Sequence, residues 1–155
     1  MRLVIESTNM SSKDVYTEIE LLGHMFTLAA TDFKHIHLVV HGHSFQDVHR
    51  QMDSYYGYCS ECADKCFELC LEGDVVPRHT SKSLEYVESW EIRDRDSYDY
   101  DNAYRLSQDI HTVLTDRIKE VRSLEGITPD IQSMLDEWLR ELTQQVNYFV
   151  KQRIV

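Results

Sequence analysis

Two prolines and five glycines in 155 residues leave the chain short of turn-formers. Folds made of many short strands need such residues at frequent turns, so their scarcity points away from an all-β protein. Long apolar runs are missing as well. Nothing approaches the ~20 consecutive apolar residues of a membrane helix, and MRLVIESTNMSSKD has no basic stretch leading into an apolar one, so it does not read as a secretory signal. The expected location is cytoplasmic. Basic clusters are absent too: 27 acidic residues face 16 basic ones for a formal net charge of −11, and the first twelve residues carry only Arg2. Affinity for a phosphate backbone is built from Lys and Arg, so nucleic-acid binding is disfavoured. An acidic excess suits the handling of cations, although on its own it distinguishes little.

Cysteine occurs only at 59, 62, 66 and 70, inside one segment of helical character. Thiols three or four residues apart on one helix are badly placed for an unstrained disulfide. Four thiols without a disulfide framework fit a reducing compartment.

The residues that are present repeat with helical period. Val15, Ile19, Leu22, Phe26, Ala29 and Phe33 mark a first helix from about Ser12 to Val40, with Ser11 or Ser12 as N-cap. Gly42 interrupts it. A second helix runs from about Phe45 to Leu71 on the stripe Val48, Met52, Tyr55, Cys59, Cys62, Cys66 and Cys70, and Gly73 is a natural stop. Residues 74–94 form a long connection in which Ser83 to Trp90 suggests a short extra helix. The third helix is expected from Tyr98 to Leu124 with Leu106, Ile110, Val113, Ile118 and Val121 facing inward. The fourth opens on Thr128-Pro129-Asp130, a cap hydroxyl, a proline at the first helical position and an acid near the positive helix end. Its stripe is Ile131, Leu135, Trp138, Leu142, Val146 and Phe149. Four such helices with one long crossover between the second and third predict an all-α fold, a four-helix bundle of ferritin-like topology. The expected organisation is one domain over 1–155, with 1–11 as a short N-terminal tail.

Chemistry concentrates in HIHLVVHGHSFQDVHRQMDSYYGYCSECADKCFELC, residues 35–70. At about 100° per residue, Cys62, Cys66 and Cys70 fall within about 60° of Cys59, whereas His49, Asp53, Asp64 and Glu68 lie between about 80° and 180° from it. The thiols therefore continue the apolar stripe as small buried hydrophobes, and the imidazole and carboxylates form another face. A CxxC pair invites zinc, but no second pair is placed to close a site. His49 with Asp53 and Asp64 with Glu68 are each i, i+4 neighbours able to share an ion, and imidazole with carboxylate is the donor mix of non-haem iron. The two pairs stand 15 residues apart, roughly 22 Å along a helix, and cannot meet in one chain. Two copies of the second helix crossing antiparallel near residues 58 and 59 would set His49 opposite the partner's Glu68, and Asp53 opposite the partner's Asp64, creating two identical sites. The plainer alternative is a solvated charged face.

These residues resemble the iron-binding signature of the Dps miniferritins: His37, then His49 twelve residues on, Asp53 at H-x3-D, and Asp64 and Glu68 at D-x10-D-x3-E. Gly42, Phe45 and Gly73 match the surrounding turns; Thr128, Asp130, Tyr148 and Phe149 match the last helix more loosely. The resemblance covers about 12–152, and its specific part is 37–73. It implies a shell of twelve subunits with 23 symmetry, built from two-fold dimers. The ferroxidase sites would take His37, His49 and Asp53 from one chain and Asp64 and Glu68 from its partner. It further implies one or two iron ions per site, ferrous oxidation that favours hydrogen peroxide over dioxygen, and storage of ferric mineral inside. Asp53 and Glu68 would be the bridging or second-ion ligands. Asp130 is the candidate for an acidic pore lining. The chain departs from the family in two ways: Leu38 stands where relatives carry Trp beside the first His, with Tyr56 on the ligand face as a substitute, and the Lys-rich tail used to hold DNA is missing. His41 and His43 are expected as surface residues at the first turn. Two other readings compete with this one. A structural or DNA-compacting shell would use the metal only as a dimer staple. A di-metal site inside one bundle requires Glu-x-x-His motifs that do not occur, and Asp109 with His111 has the wrong spacing.

Overall fold

Helical period becomes burial in a computed structural model that describes residues 12–145 together with Val150 and Arg153. The described residues form five α-helices: α1 (Ser12–Val39), α2 (Phe45–Glu72), the short α3 (Ser83–Tyr86) behind a 3-10 turn at Thr80–Lys82, α4 (Tyr100–Arg122) and α5 (Pro129–Gln144). All six stripe residues of α1 and all seven of α2 are buried, as are Ile131, Leu135, Trp138 and Leu142 of α5. Val146, Tyr148 and Phe149, like Ser11 and the expected 1–11 tail, lie outside the described residues. α1 packs along α2 and α4 along α5. Their short links require each pair to run antiparallel. Phe26 meets Trp138 edge-on at 5.2 Å, joining α1 to α5, and Phe33, Tyr55 and His111 join α1, α2 and α4.

The expected inward face of the third helix needs one correction. Val113 is exposed, and Leu114 is fully buried in its stead. Ile110, His111, Leu114, Thr115, Ile118 and Val121 occupy a single arc of the wheel, and Val113 lies about 60° beyond its edge. The crossover is also less helical than expected. Only Ser83–Tyr86 is α-helix, while Val87 and Trp90 are buried from irregular backbone.

Gly73 ends α2 as anticipated, for a different reason. Its φ is −93°, and the left-handed residue is Asp74 at φ 59°. Val75 N–H bonds the Cys70 carbonyl at 2.8 Å and Asp74 N–H the Leu71 carbonyl at 3.2 Å, the Schellman pattern with Asp74 just past the cap. Glycine is required at 73 because a Cβ there would run into the Tyr16 ring. Gly23 permits a similar close approach. A Cβ would stand 2.7 Å from Phe67 Cε1 and 3.0 Å from Cys66 Cβ. Gly23→Val is therefore expected to destabilise the bundle by about 1–3 kcal/mol through overpacking, read as a lower urea midpoint with unchanged slope; an unchanged midpoint would mean that α1 and α2 do not approach this closely.

The crossover runs beside α1 and is tied to it by polar groups that sequence reasoning missed. Glu20, buried on α1, accepts from the Arg78 amide at 2.7 Å and its Nε at 3.0 Å. Burial pushes the Glu20 carboxyl upward, but Arg78 and His24 overcome this and hold it below the usual range. His24, fully buried, contacts Ser83 Oγ at 2.8 Å and Glu20 at 3.2 Å. Further along, Asp32 accepts from Trp90 Nε1 at 3.0 Å and from Arg93 at 3.4 Å, and the carbonyl of Arg95 accepts from His35 Nε2 at 2.7 Å. Glu20 and His24, at i, i+4 within an otherwise apolar region of α1, were the available signal.

Candidate metal centre

Residues 40–44 turn the chain from α1 into α2. Gly42 adopts φ 88° with open space around it, Ser44 adopts φ 60°, and an isolated parallel bridge between Val40 and Tyr98 secures the turn. The last turn of α1 thereby brings His37 face to face with His49, in the second turn of α2. Their ring centroids are 3.7 Å apart and their planes differ by 22°. Phe45 stacks on the outer side of His49 at 5.0 Å.

Two hydrogen bonds fix this pair reciprocally. His37 Nδ1 meets the His49 carbonyl at 2.9 Å, and His49 Nδ1 meets the His37 carbonyl at 2.9 Å. A carbonyl can only accept, so each Nδ1 carries a proton and Nε2 is the nitrogen left to bind an ion. Metal-binding histidines are oriented by this kind of hydrogen bond at the second nitrogen. Both rings are half-buried, which leaves one edge accessible. An imidazole donates in its ring plane, and two stacked planes only 22° apart converge far beyond a ~2.1 Å metal–nitrogen bond. One ion cannot take both rings in plane. Two ions can, one for each.

Asp53 lies one turn beyond His49 and is exposed; Asp64 and Glu68 are exposed further along α2. The structure brings His37 and His49 together, with Asp53 adjacent in the helix, and leaves Asp64 and Glu68 roughly 22 Å along the axis from His49 and Asp53 respectively. Among the described residues no three His, Cys, Asp or Glu side chains converge on a point that could hold an ion. Asp64 instead borders a groove of about 280 Å³ between α1 and α2, lined by Thr27, Ala30, Tyr56, Ala63 and Phe67 among others. Tyr56 is half-buried there, its ring 5.2 Å from Lys34 Nζ. Asp130 sits exposed in the first turn of α5. The Thr128 hydroxyl makes no cap bond to the backbone; it bonds the Asp130 carboxylate and lowers its pKa.

The four thiols are free and buried in the core. Burial pushes Cys62 and Cys70 up to about 12 and raises Cys59 and Cys66 well above the usual thiol range, so all four are neutral thiols that pack as apolar groups. His111 is buried in the bundle centre, where Nδ1 donates to the Ser107 carbonyl at 2.6 Å. Desolvation depresses it to about 4, so it is uncharged at neutral pH. No Glu-x-x-His ligand set accompanies it.

A model of the ferritin-like domain matches residues 20–152. The chain belongs to the ferritin-like family. Among curated proteins, none matches this sequence. Solved structures that share the family fold include a Dps protein of Vibrio cholerae, described as a member of a superfamily of ferritin-like diiron-carboxylate proteins. It is 18% identical with a TM-score of 0.80, over 94% of this chain and 96% of that one. Mycobacterium smegmatis Dps, also 18% identical, gives 0.83 over 91% and 86%. Staphylococcus aureus Dps, 19% identical, gives 0.80 over 92% and 95%. The fold of this ferritin-like chain is thus that of Dps proteins, an all-helical bundle with its long connection between α2 and α4. No described helix is long and apolar enough to cross a membrane.

Proposed function

We propose that this ferritin-like protein oxidises ferrous iron at sites completed by two copies of the chain, and stores the ferric product as mineral inside a dodecameric shell. The observation that carries this reading is the reciprocal His37–His49 pair, two imidazoles locked with both Nε2 atoms presented and a carboxylate one turn away. The two bonds tie the end of α1 to α2, and by engaging both Nδ1 atoms they leave both Nε2 atoms available to an ion. His37, His49 and Asp53 serve from one chain; the partner's Asp64 and the partner's Glu68 close the site across a two-fold axis near residues 58 and 59. The stacked rings favour two ferrous ions per site, in keeping with the diiron-carboxylate description of the Vibrio relative.

Hydrogen peroxide is the proposed oxidant. Two ferrous ions each give up one electron, and one peroxide with two protons becomes two waters, so no hydroxyl radical escapes. Carboxylates and imidazoles are hard enough donors to stabilise the ferric state, and a net charge of −11 draws Fe²⁺ toward the protein. Asp130 is proposed to line an entry pore. The whole chain acts as one domain in the cytoplasm, where the four thiols persist unpaired.

The test is ferric absorbance after addition of Fe²⁺ and substoichiometric peroxide. His49→Ala combined with Asp64→Ala is expected to slow oxidation by about 100-fold or more, since each half of the site loses a group that would bind iron directly. Equal rates in variant and wild type would sink the assignment, and a native mass near that of a monomer would sink the shell. Retardation of DNA at low salt would instead favour a compacting shell, which the shortage of Lys and Arg disfavours.

A further inference from the structure

Four of the five glycines have a use inside their own chain. Gly23 and Gly73 make room for Phe67 and Tyr16, and Gly42 and Gly126 adopt φ 88° and 84°. Gly57 has no such use. It lies in the middle of α2, half-buried, and among the described residues no atom stands within 4 Å of where its Cβ would be. Glycine inside a helix is disfavoured against alanine by roughly five-fold in the local equilibrium. The flanking tyrosines are engaged within the chain: Tyr55 with Phe33 and His111, Tyr56 with Lys34, Tyr58 with Cys62. In this run of α2, position 57 alone offers bare backbone.

That bare position falls on the ligand face. At about 100° per residue Gly57 projects roughly 160° from Cys59, inside the arc of about 80° to 180° that holds His49, Asp53, Asp64 and Glu68. Between Asp53 and Asp64 only Ser60 shares the arc, and its hydroxyl turns back to the Tyr56 carbonyl at 2.9 Å. With a crossing near residues 58 and 59, Gly57 stands opposite the partner's Ser60, about 2 Å along the helix from the crossing point.

We propose that Gly57 is a positioning residue for the iron site: its missing side chain sets how closely the two α2 helices approach where they cross. This rests on the two-chain ferroxidase reading and adds the feature that fixes its spacing. Helix axes pack roughly 8 to 10 Å apart, according to the side chains at the contact. A side chain at 57 would meet the partner at both symmetry-related contacts, so one substitution obstructs the crossing at two points. Both halves of the iron site are carried by these helices. Bonds of about 2.1 Å from an ion to each half leave no slack for a separation of even about 1 Å.

Gly57→Leu and Gly57→Ala in the full-length protein test this through self-association, read by sedimentation, and ferric absorbance after Fe²⁺ and peroxide. Gly57→Leu is expected to weaken association by about ten-fold or more and to slow oxidation by about 100-fold. Gly57→Ala should move both in the same direction by a smaller factor. Helicity should not fall in either, since nothing in the chain occupies the space. Exchanging Gly57→Ser with Ser60→Gly moves the side chain to the other half of the same contact. The exchanged variant should recover most of the wild-type rate, and Gly57→Ser alone should not, an outcome that a role inside one chain would not produce. Association and oxidation unchanged in Gly57→Leu, or no recovery in the exchanged variant, overturns the proposal. A wild type that oxidises no iron, with association still weakened in Gly57→Leu, would sink the ferroxidase reading and uphold the spacing role.

Discussion

Chains carrying His49→Ala, co-expressed with chains carrying Asp64→Ala, are expected to recover about a quarter of the wild-type ferrous-oxidation capacity, although each variant alone has almost none. The expectation follows from which chain supplies which half of the site. In a mixed dimer, one site combines both lesions and is dead. The other takes His37, His49 and Asp53 from the chain with intact histidine, and Asp64 and Glu68 from the chain with intact carboxylate. Random pairing makes about half of the dimers mixed, and each mixed dimer holds one good site of two. If all five ligands acted within a single chain, no mixture could restore activity. Recovery at the level of either variant alone would therefore refute the intersubunit arrangement and leave open whether iron is oxidised elsewhere.

A second large effect concerns acid. His111 is held at about 4 by burial beside Phe33 and Tyr55, which outweighs the upward pull of its bond to the Ser107 carbonyl, whereas in the unfolded chain it titrates near 6.5. Above pH 6.5 the ring is neutral in both states and its contribution to stability is complete. As pH falls from 6.5 to 4, the unfolded chain takes up the proton first, and stability declines by up to ~1.4 kcal/mol per pH unit. The loss reaches about 3 kcal/mol and levels off once the folded form is protonated as well. His24 is depressed by burial too and adds to the same slope, while Asp32, raised by burial, works in the opposite sense nearer its own range. Urea unfolding of wild type and His111→Gln at several pH values measures the difference directly. The variant should show a much flatter profile between pH 6.5 and 4; an identical slope would mean that His111 is not the group responsible.

The bundle was legible because its core residues keep strict helical spacing. The stripes of α1, α2 and the described part of α5 are buried as their periodicity requires. Val113 failed because it stands three residues from Ile110, at ordinary helical spacing, yet about 60° outside the buried arc, and spacing alone does not say where that arc ends. The crossover failed more widely, since irregular backbone has no period to read and its anchors, Glu20, His24 and Asp32, sit on a different element. At the centre, the residue types and the 37–49–53–64–68 spacing were visible in the chain. The stacking of His37 on His49 was not, because it depends on how a five-residue turn with two positive φ angles returns the backbone.

The anchors of the crossover occur in the same order along both segments they connect: Glu20 with Arg78, His24 with Ser83, Asp32 with Trp90, His35 with Arg95, Val40 with Tyr98. Between the first and last anchors both segments advance 20 residues, 20 to 40 on one and 78 to 98 on the other, so the helix acts as a ruler for the connection as a whole. Surface connections ordinarily tolerate inserted or deleted residues. Here a single deletion between 78 and 90 would put later anchors out of step with their partners, leaving Asp32 buried without its donors. Among related chains, length changes should therefore be rare in this segment, even where its sequence drifts freely between the anchors.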